Sequence, residues 1–124
     1  MSLQVTLDQK SADIWQVTLV GSLDTDTAAQ CEAQLQPILV AATKRIVINM
    51  AELNYISSAG IRVLASTTKK MKANGGSVAV TQVQPQIQKV LEIVKALPAL
   101  NIFKDMAEAD EYFDAMQKKV LDGD

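Results

Sequence analysis

Two adjacent hydroxyls, Ser57 and Ser58, lie between a short apolar run, Arg45-Ile46-Val47-Ile48-Asn49-Met50, and the helix-forming stretch Ile61-Arg62-Val63-Leu64, with Gly60 two residues after Ser58. Such a pair belongs where a strand stops and a loop delivers the chain to a helix N-terminus. Hydroxyls there face backbone N–H groups that have no intrahelical partner, at the positive end of the helix dipole. They are expected to be exposed. A phosphate added to one of them is expected to be tolerated electrostatically and to present a new charge to a partner. Ser57 reads as an N-cap, and on spacing alone Ser58 reads as an ordinary first-turn residue. The chemistry on offer is that of a phosphoacceptor.

Other chemistries find little to work with. The chain has no histidine, which removes a Ser-His-Asp relay and histidine metal sites. No run of glycines followed by lysine and a hydroxyl is present to cradle a phosphate. The carboxylates are scattered without the spacing of an acid–base pair. No catalytic residue, metal or cofactor is expected, and the chain reads as a substrate of enzymes rather than an enzyme.

With 124 residues there is room for one domain, spanning 1–124. The 12 basic and 14 acidic side chains give a net charge of −2, and the basic ones are scattered, with small pairs such as Lys69-Lys70 and Lys118-Lys119, so nucleic acid is not an expected partner. A single cysteine, Cys31, excludes an internal disulfide, suits a reducing compartment, and is expected to be inert core. The N-terminus lacks the basic start and apolar run of a secretory signal, and no apolar stretch approaches the roughly 20 residues of a spanning helix. A cytoplasmic monomer without membrane association is expected.

The elements that position the serines follow from periodicity. Leu3–Leu7 and Ile14–Val20 alternate like half-buried strands, and Trp15 is expected in the core. Thr27–Ala42 shifts to a helical period, with Cys31, Leu35, Ile38, Leu39 and Ala42 on one face. Pro37 falls inside that pattern, yet one helix is expected, kinked or with its first part shortened. Asp24, Thr25, Asp26 and Thr27 supply capping groups before it. Arg45–Met50 resembles a strand covered on both faces. Ser58–Asn74 is expected as a second helix, burying Ile61, Leu64, Ala65 and Met71, and Asn74-Gly75-Gly76 stops it. A strand at Val78–Val80, a helix over Pro85–Leu97 burying Ile87, Val90, Leu91 and Val94, and a brief strand near Ile102-Phe103 follow. A last helix, Met106–Leu121, carries Ala109, Phe113, Met116 and Val120 on one stripe. The expected fold class is α/β: a single domain with a mixed β-sheet of about four to five strands and about four α-helices packed on it.

The string from Ile48 to Leu64, with Asn54-Tyr55-Ile56-Ser57-Ser58-Ala59-Gly60 at its centre, resembles the bacterial anti-sigma factor antagonists, the family of STAS domains. Gly21-Ser22-Leu23-Asp24 resembles the family's turn before its first helix, Lys72–Gly76 with Val78 and Val80 its helix-to-strand return, and Val90-Leu91 with Phe103 its late helix and final strand. The resemblance covers about Leu3 to Val120. It implies partner switching. The unphosphorylated protein binds a serine-kinase anti-sigma factor, or a related histidine-kinase-like serine kinase. Phosphorylation of a serine at the start of the second helix dissolves the complex, and a metal-dependent serine phosphatase resets it. The acceptor implied is Ser58, with Ser57 as the alternative, because Ser57 stands where much of the family has an aspartate and Ala59 where many members carry a second hydroxyl. The implied partner-binding surface comprises Asp24, Thr25, Asn54, Tyr55, Ser57, Ala59, Gly60 and Arg62. Small stand-alone domains resembling the family also serve as structural subunits of phospholipid-transport ATPases, and related switches govern pathways other than sigma-factor control. A phosphate carries about −1.5 to −2 charges, and burying that charge in an interface costs a few kcal/mol, so phosphorylation is expected to weaken binding far more than folding.

Overall fold

The computed structural model describes residues 2–96 and 106–123, and the strand expected near Ile102-Phe103 lies outside them. The alternating N-terminal segments form a hairpin, β1 (Leu3–Ser11) antiparallel to β2 (Ile14–Leu23). β2 then pairs in parallel with β3 (Arg45–Ile56), and β3 in parallel with β4 (Ser77–Thr81), giving a mixed four-stranded sheet in the order β1-β2-β3-β4. The helices are α1 (Ala28–Leu35), α2 (Ser58–Ala73), α3 (Pro85–Ala96) and α4 (Met106–Leu121).

One face of the sheet makes the core. Val17, Leu19, Ile46, Ile48 and Met50 are buried there, against Ile61, Val63 and Met71 of α2, Ile87 and Val90 of α3, and Ala109 and Phe113 of α4. Each of these side chains other than Ala109 contributes about 1.5–3 kcal/mol relative to exposure. The other face carries Thr6, Gln16, Thr18, Val20, Val47 and Asn49, none of them fully buried. β3 is therefore not covered on both faces: burial alternates along Arg45–Met50, in the manner of a one-sided sheet. Trp15 packs against the core while partly exposed.

Three boundaries depart from the periodicity. The helix expected over Thr27–Ala42 ends at Leu35 and gives way to a 3₁₀ turn, Gln36–Ile38. Pro37 has no N–H to offer and its ring crowds the carbonyl four residues back, so the α-helical ladder stops there. Ala42 is consequently exposed. β3 runs past Met50 to Ile56 because a bulge absorbs the break: the Asn49 side chain accepts from the Ala51 N–H (2.9 Å), and pairing with β2 resumes at Val20–Glu52. On α2, Val63 is buried where Leu64 and Ala65 were expected; Leu64 is partly exposed and Ala65 exposed.

The stop of α2 agrees with expectation. Gly75, at φ +77, donates to the Lys72 carbonyl (3.0 Å) and Gly76 to the Met71 carbonyl (2.7 Å), the paired bonds of a Schellman motif. Among the described residues, β3 pairs with no strand on its β4 side beyond Asn49. Glutamine side chains take that role: Gln84 donates to the Ala51 carbonyl (2.8 Å), Gln86 to the Asn54 carbonyl (3.0 Å), and Gln117 both accepts from the Ile56 N–H (3.0 Å) and donates to the Ile56 carbonyl (2.8 Å).

Candidate functional site

The paired serines sit where β3 ends and α2 begins. Ser57 is extended (φ −104°, ψ 176°) and caps α2, its side chain accepting from the Gly60 N–H at 3.3 Å, while its own N–H donates to the Leu23 carbonyl at 2.9 Å. The start of the helix is thereby tied to the end of β2. Gly60 makes the approach possible: a Cβ there would lie 2.7 Å from the Leu23 carbonyl oxygen and 2.9 Å from an Ile56 side-chain carbon. Close packing thus accounts for this glycine.

Ser58 is the first residue of α2 and is fully buried, against the expectation of an exposed hydroxyl. The cause is α4. Asp110 on that helix accepts from the Ser58 N–H (2.8 Å) and from the Ser58 hydroxyl (2.5 Å) through the same oxygen, Oδ1. A carboxylate is the group a helix N-terminus favours, and both bonds to it are charge-assisted. The anion that the dipole attracts is already supplied from within the chain, so the expectation that a phosphate would be received quietly does not hold.

Beside this contact lies a surface depression of about 300 Å³ lined by Asp24, Thr25, Asp26, Tyr55, Ser57, Asp110 and Asp114. The phenol of Tyr55 is pushed up to about 12, first by burial and then by the neighbouring Asp114 carboxylate, with Asp110 and Asp24 adding to the effect. Asp24 is largely structural. Its carboxylate accepts from the N–H groups of Asp26 (2.9 Å) and Thr27 (3.1 Å), and its own N–H donates to the Thr27 hydroxyl (2.9 Å), which in turn donates to the Ser22 carbonyl (2.8 Å). This network, rather than a side-chain cap from Thr27, shapes the entry to α1. Among the described residues, no group of three or more Asp, Glu, Cys or His is arranged to hold a metal ion.

A second depression, about 480 Å³, runs between α1 and α2 and is lined by Thr25, Ala28, Ala29, Glu32, Ala33, Gln36, Ala59, Arg62 and Val63. The structure thus brings Asp24, Thr25, Tyr55 and Ser57 to one mouth and Thr25, Ala59 and Arg62 to the next, with Gly60 buried in the α2 start beside Ala59. Asn54 stands apart, turned toward the start of α3, where its side chain and carbonyl meet Gln84 and Gln86. Cys31 is buried, and burial followed by the Glu32 charge pushes its thiol up to about 11, as suits inert core.

Sequence reasoning missed Asp26, Asp110 and Asp114 as site residues, and it missed Gln117. Gln117 left a signal, being a polar residue at the i+4 position after Phe113 on an apolar stripe that starts with Ala109. Asp110 and Asp114 share a face four residues apart. Nothing in the sequence says which element that face meets.

A family model described as STAS domain matches residues 7–109. BtrV of Bordetella bronchiseptica, named as an anti-sigma factor antagonist, is 32% identical over 75 residues, 60% of this chain and 65% of that protein, so the match spans slightly under two thirds of that relative's length. An anti-sigma-B factor antagonist of Staphylococcus aureus is 25% identical over 93 residues, 75% of this chain and 83% of that protein. Among solved structures, the unphosphorylated anti-sigma factor antagonist SpoIIAA superposes with a TM-score of 0.63 at 20% identity, over 73% of this chain and 83% of that one. An anti-sigma factor antagonist from Mycobacterium paratuberculosis does so with a TM-score of 0.62 at 18% identity, over 77% and 82%. Likeness at that identity is likeness of fold.

Proposed function

The chain belongs to the STAS domain family, and on that footing we propose that it is an anti-sigma factor antagonist that works by partner switching. In this reading the unphosphorylated protein binds a serine-kinase anti-sigma factor or a related kinase through the surface around Asp24, Thr25, Tyr55, Ser57, Ala59 and Arg62. The kinase phosphorylates Ser58 and the complex separates. A metal-dependent serine phosphatase restores the starting state, and the protein itself acts as acceptor, not catalyst.

The observation that carries the reading is the placement of Ser58. It is the first residue of α2, behind the Ser57 cap and beside the acidic depression that holds Tyr55 and Asp24. A phosphate there brings about −1.5 to −2 charges to a mouth that already holds Asp24, Asp26, Asp110 and Asp114. Like charges about 4 Å apart near a protein surface repel by about 4 kcal/mol, so the added phosphate is pushed away from these carboxylates and rearranges the mouth. The phosphoryl group also lacks room beneath Asp110. Modification therefore changes the partner's docking surface by shape as well as by charge.

The test is incubation with the cognate serine kinase and ATP, followed by intact mass and site mapping. The expected result is one phosphate, absent in Ser58→Ala and retained in Ser57→Ala. A phosphate that persists in Ser58→Ala refutes Ser58 as the acceptor.

A further inference from the structure

Resting on that assignment of Ser58, we infer that α4 is an autoinhibitory latch: Asp110 occupies the position a phosphate would take, so docking of α4 and phosphorylation of Ser58 exclude one another. Transfer from ATP forms a bond between the Ser58 Oγ and the γ-phosphorus as the bond from that phosphorus to the ADP oxygen breaks, and the hydroxyl proton passes to a base. The Oγ must meet the phosphorus from outside the protein. Here the Oγ has no exposed surface, and its proton is directed at Asp110 Oδ1 2.5 Å away, an oxygen that also holds the Ser58 N–H at 2.8 Å.

The rest of α4 explains how the latch is held shut. Ala109 and Phe113 are buried in the core on either side of Asp110, and one turn further on Gln117 grips both backbone groups of Ile56, the residue before Ser57. Asp114 lines the same acidic depression as Tyr55. The Gln117 and Asp110 bonds join α4 to the end of β3 and the start of α2. Withdrawal of Asp110 uncovers the hydroxyl, and a phosphate installed on it opposes re-docking, because Asp110 would return to like charge in place of a hydrogen-bond donor. Coupling of this kind is reciprocal: whatever factor the phosphate imposes on α4 docking, docking imposes on phosphorylation. A kinase that phosphorylates Ser58 must therefore also move α4.

The test needs no kinase. Amide hydrogen exchange is followed residue by residue by NMR in the wild type, in Asp110→Ala, in Asp110→Asn, and in protein made with phosphoserine at position 58. Loss of bonds to a charged partner is expected to speed exchange of the Ser58 amide at least about tenfold in Asp110→Ala, while core amides such as Ile48 stay protected. Asp110→Asn, which keeps the size and one acceptor oxygen, falls between, and it serves as the reading if the alanine variant does not fold. Phosphoserine at position 58 is expected to speed exchange across α4 by a similar factor. A Ser58 amide unchanged in both Asp110 variants, or an α4 equally protected with phosphoserine in place, overturns the latch. Neither result bears on whether a kinase uses Ser58, which mass mapping reads separately.

Discussion

Replacing Gln117 by methionine removes polar atoms from the interior while keeping the length and volume of the side chain. Gln117 is 1% exposed and Ile56 is fully buried. The wild-type amide accepts from the Ile56 N–H (3.0 Å) and donates to the carbonyls of Ile56 (2.8 Å) and Phe113 (3.1 Å). Gln117→Met erases these bonds and leaves the Ile56 N–H and C=O unpaired away from water. Each net bond is worth about 0.5–1.5 kcal/mol, and a buried group left unsatisfied costs about 1–3 kcal/mol, so the variant should lose about 2–4 kcal/mol. At about 2.1 cal/mol/K per residue, a chain of 124 residues has an unfolding entropy near 0.26 kcal/mol/K, and Tm should fall by about 8–15 °C. Thermal melting followed by circular dichroism, with urea denaturation beside it, measures this. Lys118→Ala, on the exposed neighbouring position, should stay within about 0.5 kcal/mol. A fall below about 2 °C for Gln117→Met, with an unchanged urea m-value, would refute the view that α4 completes the end of β3.

Gly60→Ala should destabilise by about 1–3 kcal/mol in urea titration, since its Cβ would press within 2.7 Å of the Leu23 backbone oxygen; a neutral result would mean that α2 is free to shift. Ser57→Ala should lose about 0.5–2 kcal/mol of stability through the cap to Gly60, measured in the same titration, and an unchanged midpoint would count against that cap. The alkaline limb of stability should depend on Tyr55. Its phenol is raised from 10.0 to about 12 by burial and then Asp114, so the folded chain keeps a proton that the unfolded chain releases near pH 10. The stabilisation is whole below about pH 10 and is lost as pH climbs toward 12. Tyr55→Phe should flatten the decline of Tm across that window, and a slope equal to that of the wild type would contradict the assignment.

Most of the framework was legible because it rests on local periodicity. The β1–β2 alternation, the stripes of α3 and α4 and the Asn74-Gly75-Gly76 stop each follow from a few neighbouring residues. The errors came from effects that periodicity does not encode. Pro37 overrode a good helical stripe, and the bulge at Asn49–Ala51 broke the alternation of β3, so the strand looked half its true length. The candidate site divided in the same way. Ser57 and Ser58 at a helix start, and Gly60 against β2, follow from nearby sequence. The burial of Ser58 does not, because its cause is Asp110, 52 positions away along the chain. The sign of a long-range contact is set by the docking of α4, which a helical stripe predicts only as docked somewhere.

The glutamines along Ala51–Ile56 have a consequence for self-association. An unpaired backbone edge invites another molecule to zip onto it, and natural sheets suppress that by covering the edge. Here the cover consists of Gln84, Gln86 and Gln117, side chains that satisfy the backbone groups without extending the ladder. A foreign strand has nothing left to grip at those positions. Two of the three sit on α3 and α4, so anything that lifts those helices strips the cover and leaves a bare, adhesive strand, the starting point of aggregation.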